Sequence, residues 1–163
     1  MAFTHPSGWR APTGNALKSS AASARVGGLA VRFSGPDERD LDNEYFTSQT
    51  DFGPRNGDGS PVMIHHGNPI SVGLEAFAKV ILPAAQVQRD TSGLFASTNL
   101  DLADPVQRAI YELIQRGAFR WSSGATPQLV QRASDGRLER WFPAEFSLTP
   151  TPAEPRLPRI RPL

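Results

Sequence analysis

Apolar and polar residues alternate at a period of two through most of the middle of the chain, which predicts half-buried strands. Leu29, Val31 and Phe33 mark a first strand within 25–33, stopped by Ser34-Gly35-Pro36. In 61–67 the same period places Val62, Ile64 and His66 on one face and Met63 and His65 on the other. Residues 70–81 read as further strand. Leu94, Ala96, Thr98 and Leu100 mark another within 93–101. Beyond residue 117, Ala118, Arg120 and Ser122 share one face, and Phe119, Trp121 and Ser123 the other. Residues 128–132 and 137–142 read as a hairpin turning at Ser134-Asp135-Gly136. The last predicted strand, 143–149, sets Glu145, Ser147 and Thr149 against Phe146 and Leu148.

One stretch switches to helical spacing. Val106, Ala109, Ile110, Leu113 and Ile114 form an apolar stripe over 104–116. Asp104 stands at the N-cap, Pro105 at the first helical position and Gln107 where a capping box needs it. Gly117 supplies the stop. The pattern thus predicts many strands and one strong helix.

Two loops interrupt this pattern. The acidic run 37–44 holds Asp37, Glu38, Asp40, Asp42 and Glu44, but its spacing lacks the central glycine of a calcium loop and reads as solvated. Tyr45, Phe46 and Phe52 are expected to anchor the next segment on the domain, ahead of the Gly/Asn/Asp loop 54–60.

Composition sets the boundaries. The 163 residues suffice for one domain, and Pro concentrates toward the C-terminal end. The reading is a flexible tail over 1–24, a domain over 25–152 and an extended Pro/Arg-rich tail over 153–163. A net charge of +1 calls for neither nucleic acid nor membrane. The absence of cysteine excludes a disulfide scaffold, a thiolate zinc site and a thiol nucleophile. No apolar run approaches the roughly 20 residues that cross a bilayer. Neither a secretory signal nor a metal site is expected; the third histidine, His5, lies far off in the tail.

The candidate chemistry is a serine, a histidine and an acid. The doublet Ser122-Ser123 follows the helix, the doublet His65-His66 ends an apolar strand, and Glu145 lies in the last strand. A serine hydroxyl is a weak nucleophile without a base to take its proton, and the base needs a third group to hold its tautomer. Gly124 and Ala125 leave room for an approaching main chain.

The order of these features is a His at a strand end, a capped helix, Gly-x-x-x-Trp-Ser-Ser-Gly, a hairpin, and Glu-Phe-Ser-Leu-Thr-Pro-Thr-Pro-Ala-Glu-Pro. Over about residues 26–155 it resembles the prohead (capsid maturation) serine proteases of tailed bacteriophages, whose fold is similar to the herpesvirus assembly protease. The resemblance implies an α+β, mainly β fold, a small β-barrel-like sheet with flanking helices. It implies Ser122 as nucleophile, His66 as general base and Glu145 as the orienting acid, with Ser123 and His65 as alternatives one position away. Arg120 and Gly124 become candidates for the oxyanion and substrate contacts. This sequence departs from the family pattern at Gly67, where an acid is usual, and at Ala125, where an aromatic is usual.

The implied activity is that of a serine endopeptidase without metal or cofactor. It would cut the major capsid protein precursor or the scaffold protein in the phage prohead, within the host bacterial cytoplasm, with self-cleavage and a homodimer as further expectations. Two rivals make different predictions. A non-catalytic capsid-assembly or scaffold-binding module on the same fold would not bring Ser122, His66 and Glu145 together. A nucleic-acid or shell-binding protein would lose salt-sensitive binding on deletion of 156–163.

Overall fold

A computed structural model describes residues 22–163. The expected tail 1–24 lies outside the described residues except for its last three positions, two of which already belong to a strand. In chain order the strands are β1 (Ser23–Arg32), β2 (Val62–Ile64), β3 (Ile70–Val72), β4 (Glu75–Phe77), β5 (Ile81–Leu82), β6 (Gln86–Arg89) and β7 (Gly93–Asp101). The helix α1 (Pro105–Gln115) follows. Then come β8 (Arg120–Ala125), β9 (Gln131–Arg132), β10 (Leu138–Arg140), β11 (Pro143–Thr149) and β12 (Arg161–Pro162).

The fold is mainly β, as the alternation requires. It is built on two four-stranded sheets, ordered β12-β1-β7-β6 and β5-β2-β11-β8, with two small hairpins, β3-β4 and β9-β10. The barrel implied by the resemblance is not closed: β12 and β6 end one sheet, β5 and β8 the other, and no ladder joins these edges. Instead β1 and β8 meet through side chains. Trp121 Cδ1 lies 3.7 Å from the position a Cβ would take at Gly28, so the indole fills the gap between the sheets. Among the described residues α1 is the one α-helix, where flanking helices were expected.

Both sheets contribute to one core. Val26, Ala96 and Leu100 of the first face Ile64, Trp121, Phe146 and Leu148 of the second, and Ile110 and Ile114 of α1 join them. Burying each such aliphatic side chain contributes roughly 1.5–3 kcal/mol. A smaller cluster of Val31, Phe52 and Leu94 holds the loop that follows β1, with Phe33, Phe46 and Trp141 packed on it.

The helix is specified locally. Asp104 accepts hydrogen bonds from the amides of Val106 and Gln107, at 2.8 and 3.2 Å. These donors hold its carboxyl below the usual range. The expected capping box forms differently: Gln107 Oε1 accepts from the Asp101 amide rather than from the N-cap. At the other end Gly117 (φ 73°) donates to Ile114 and Ala118 to Leu113, a Schellman closure that delivers the chain into β8. Val106 is 44% exposed, so the buried stripe begins only at Ile110.

Three expectations need correction. Within 70–81, strand forms over Ile70–Val72 as expected, but the stretch after it is broken between Phe77 and Ile81 into β4 and β5. The run 128–132 begins as the 3₁₀ turn Pro127–Leu129, leaving two residues for β9. Nor is the C-terminal stretch a solvated tail. Leu157 and Ile160 are buried, Ile160 donates its amide to Phe119 O, and β12 pairs with β1 at Val26 and Gly27. Isolated apolar residues between prolines carry no period, which is why pattern reading left them outside the domain. No described helix is long and apolar enough to cross a membrane.

Candidate active site

Strand β2 runs parallel to β11, with Val62, Met63 and Ile64 level with Phe146, Ser147 and Leu148. Continued as a strand, His66 would stand level with residue 150, five positions past Glu145, and so roughly 16 Å from it at about 3.3 Å per residue. The chain does not continue. His65, His66 and Gly67 form a tight turn in which all three adopt left-handed φ, at 46°, 56° and 75°. This overturns the period-two placement of His66 on the buried face of the strand. Left-handed backbone costs roughly 1–2 kcal/mol at each non-glycine residue. The turn is held by contacts to β11 that offset the cost.

Those contacts define the site. His66 folds back along β11, and its amide donates to Ser147 Oγ at 3.0 Å. Its imidazole Nδ1 lies 2.6 Å from Glu145 Oε1. The other carboxylate oxygen, Oε2, accepts from Ser147 Oγ at 2.5 Å. With Glu145 ionised, Nδ1 carries the donated proton, and Nε2 is left as the open lone pair of the neutral ring. The hydrogen bond that His66 donates to Glu145 raises the His66 pKa above the ordinary 6.5; burial opposes this, and the carboxylate charge adds to it.

Gly124 pairs with Glu145 across β8 and β11, and a Cβ at Gly124 would run into Glu145 Oε1. The space that sequence reading reserved for a substrate backbone is therefore filled by the acid itself. The glycine is needed because the carboxylate lies over it on the way to His66.

Ser122 stands opposite Ser147 in the same ladder. Together with His66, Ser123 and Trp141 it lines a cavity of about 430 Å³. Among the described residues its hydroxyl makes no hydrogen bond, to His66 or elsewhere. Ser123 also lines the cavity, but its Oγ accepts from Trp141 Nε1 at 3.1 Å, and Trp141 is braced edge-on by Phe46. His65 points away from Glu145: its Nδ1 is 2.9 Å from Thr149 Oγ1. Arg120 donates from Nε to Leu157 O at 2.8 Å, which fastens the C-terminal segment beside the cavity. Of the two alternatives, one serine and one histidine are thus already committed to neighbours.

The structure brings His66 and Glu145 into contact, with Ser122 on the wall of the same cavity. Pattern reading passed over Ser147, which touches both. Its signal was present: it is a hydroxyl two residues from Glu145, and so on the same face of the strand. Trp141 was also passed over; a tryptophan closing a hairpin strand gives no sign of which hydroxyl it will meet. No family model, curated protein or solved structure matches the chain.

Proposed function

We propose that this chain is a serine endopeptidase that processes a phage capsid precursor or scaffold protein during prohead maturation, through Ser122, His66 and Glu145. The observation that carries the reading is the 2.6 Å contact between His66 Nδ1 and Glu145 at a cavity that Ser122 also lines. On this reading the two packed sheets are a prohead-protease-like arrangement. The partners are the major capsid protein precursor and the scaffold, met in the prohead interior within the host bacterial cytoplasm, with self-cleavage and a homodimer as further possibilities of the same reading.

The chemistry follows from the ring orientation. Glu145 holds the Nδ1 proton, so Nε2 takes the proton of Ser122 Oγ as that oxygen bonds to the scissile carbonyl carbon. The imidazolium formed is stabilised by Glu145 and returns the proton to the departing amine as the C–N bond breaks. Water then attacks the acyl-enzyme, gives its proton to Nε2 and releases the acid, and Ser122 regains its hydrogen. Amide hydrogens around Ser123 and Gly124 are the candidate donors to the oxyanion, an interaction able to supply several kcal/mol. Ser122 must close on His66 when substrate fills the cavity; such contacts are commonly loose before substrate binds.

Incubation with the cognate capsid precursor, with fragments read by mass, tests the proposal. Wild type and Ser123→Ala are expected to cut, and Ser122→Ala and His66→Ala are not. Tight precursor binding by a wild type that never cuts would overturn the proposal in favour of an assembly module.

A further inference from the structure

Among the described residues, Ser147 is the one side chain that hydrogen-bonds to both members of the histidine–carboxylate pair. It is fully buried in the middle of β11, level with Met63 of β2 and Ser122 of β8. A buried hydroxyl must find partners, and this one uses its donor and its acceptor on opposite sides of the site. Its proton goes to Glu145 Oε2 at 2.5 Å, and its lone pair takes the amide of His66 at 3.0 Å. The first bond fixes one oxygen of the carboxylate and leaves the other for the imidazole. The second bond pins the backbone of a residue in a left-handed conformation (φ 56°) that its side chain disfavours. Without it, nothing else in β11 bonds to the His66 backbone.

We infer that Ser147 is a positioning residue of the site, whose hydroxyl sets both the left-handed turn at His66 and the rotamer of Glu145, and so aims Nε2 at the cavity. This rests on the proposal that His66 is the general base. The role differs from that of Glu145. Ser147 touches no reacting atom and stabilises no charge that develops in the reaction; it removes freedom from the two groups that do.

The sign of one measurement separates positioning from plain electrostatics. If Ser147 merely shared the carboxylate, its loss would make Glu145 a stronger acceptor, and His66 would hold its proton more tightly. If Ser147 positions the pair, its loss lets them drift apart, and His66 moves toward the free imidazole value. The other charged groups at this cavity, Arg32, Asp40, Asp42, Glu44 and Glu154, and the neighbouring ring of His65, stay in place in both proteins.

The test is an NMR titration of the imidazoles in the full chain, wild type against Ser147→Ala. The His66 signal is assigned by its loss in His66→Asn. Labelling by a fluorophosphonate, a serine-directed probe, is timed in parallel. The expected result is a fall in the His66 pKa and about 10- to 100-fold slower labelling in Ser147→Ala, with both recovered in Ser147→Thr, which keeps the hydroxyl. A His66 pKa that rises or stays put overturns the assignment. So does a folded Ser147→Thr that titrates like Ser147→Ala. A wild type that the probe never labels removes the hydrolase reading, while the titration still decides whether Ser147 holds the pair.

Discussion

Gly124 and Glu145 face each other across β8 and β11, and the carboxylate of Glu145 occupies the volume that any Cβ at position 124 would need. The smallest residue of β8 thus sets where the acid can lie, two positions from Ser122. Gly124→Ala is expected to push Glu145 off His66 and to cost about 1–3 kcal/mol of stability as local overpacking. Loss of cleavage should exceed what that stability change explains. Denaturant unfolding and precursor cleavage, run on the same sample, check this; an alanine variant with full activity would mean that the carboxylate can move without consequence.

The pH dependence follows from the raised pKa of His66. A histidine whose pKa is higher folded than unfolded stabilises the fold fully below the unfolded value, and that contribution fades as pH rises through the folded value. Activity runs the other way, because only the neutral ring accepts the serine proton. Cleavage should therefore rise with pH through a midpoint above 6.5, while the contribution of the His66–Glu145 pair to stability falls over the same window. The pH profile of kcat/KM and thermal unfolding across that range are the two readings.

Glu145→Gln keeps the shape of the side chain and removes its charge. The acid limb of the activity profile should move to lower pH, since the group that raises the His66 pKa most is weakened. At the optimum the rate should drop roughly 10²- to 10⁴-fold, because the tautomer is no longer fixed. An unchanged profile would separate Glu145 from the chemistry.

Ile160 carries the C-terminal segment into the core, 1% exposed and hydrogen-bonded through its amide to Phe119. Ile160→Ala should cost about 2–5 kcal/mol, as for a buried aliphatic truncation. A truly free tail would show no change in the urea midpoint.

How much of this was written in the sequence depends on range. The helix was legible because Asp104, Pro105 and Gly117 act within one turn of where they stand. Strands β7 and β11 were legible because Leu94, Ala96, Thr98 and Leu100, and then Phe146 and Leu148, repeat at the strand period. The turn at His65 and His66 was not, since nothing in two histidines announces a left-handed backbone; it exists because β11 supplies Ser147 and Thr149 to hold it. Strand β12 is only Arg161 and Pro162, too short to show alternation, and it pairs with residues more than 130 positions earlier. The meeting of His66 with Glu145 was suggested by the order of motifs, never by spacing. The arrangement around Gly124 could be read only once the register of β8 on β11 was known.

His66 and Glu145 are 79 residues apart in the chain, and the parallel pairing of β2 with β11 that unites them closes a loop containing α1 and the eight strands β3 to β10. Long-range pairings of this kind are the slow, late events of folding. A molecule that holds its local helix but not the β2-β11 pairing has no contact between His66 and Glu145. A local opening of β11 would by itself take Glu145 and the Ser147 hydroxyl away from His66, so the pair is only as persistent as that one strand.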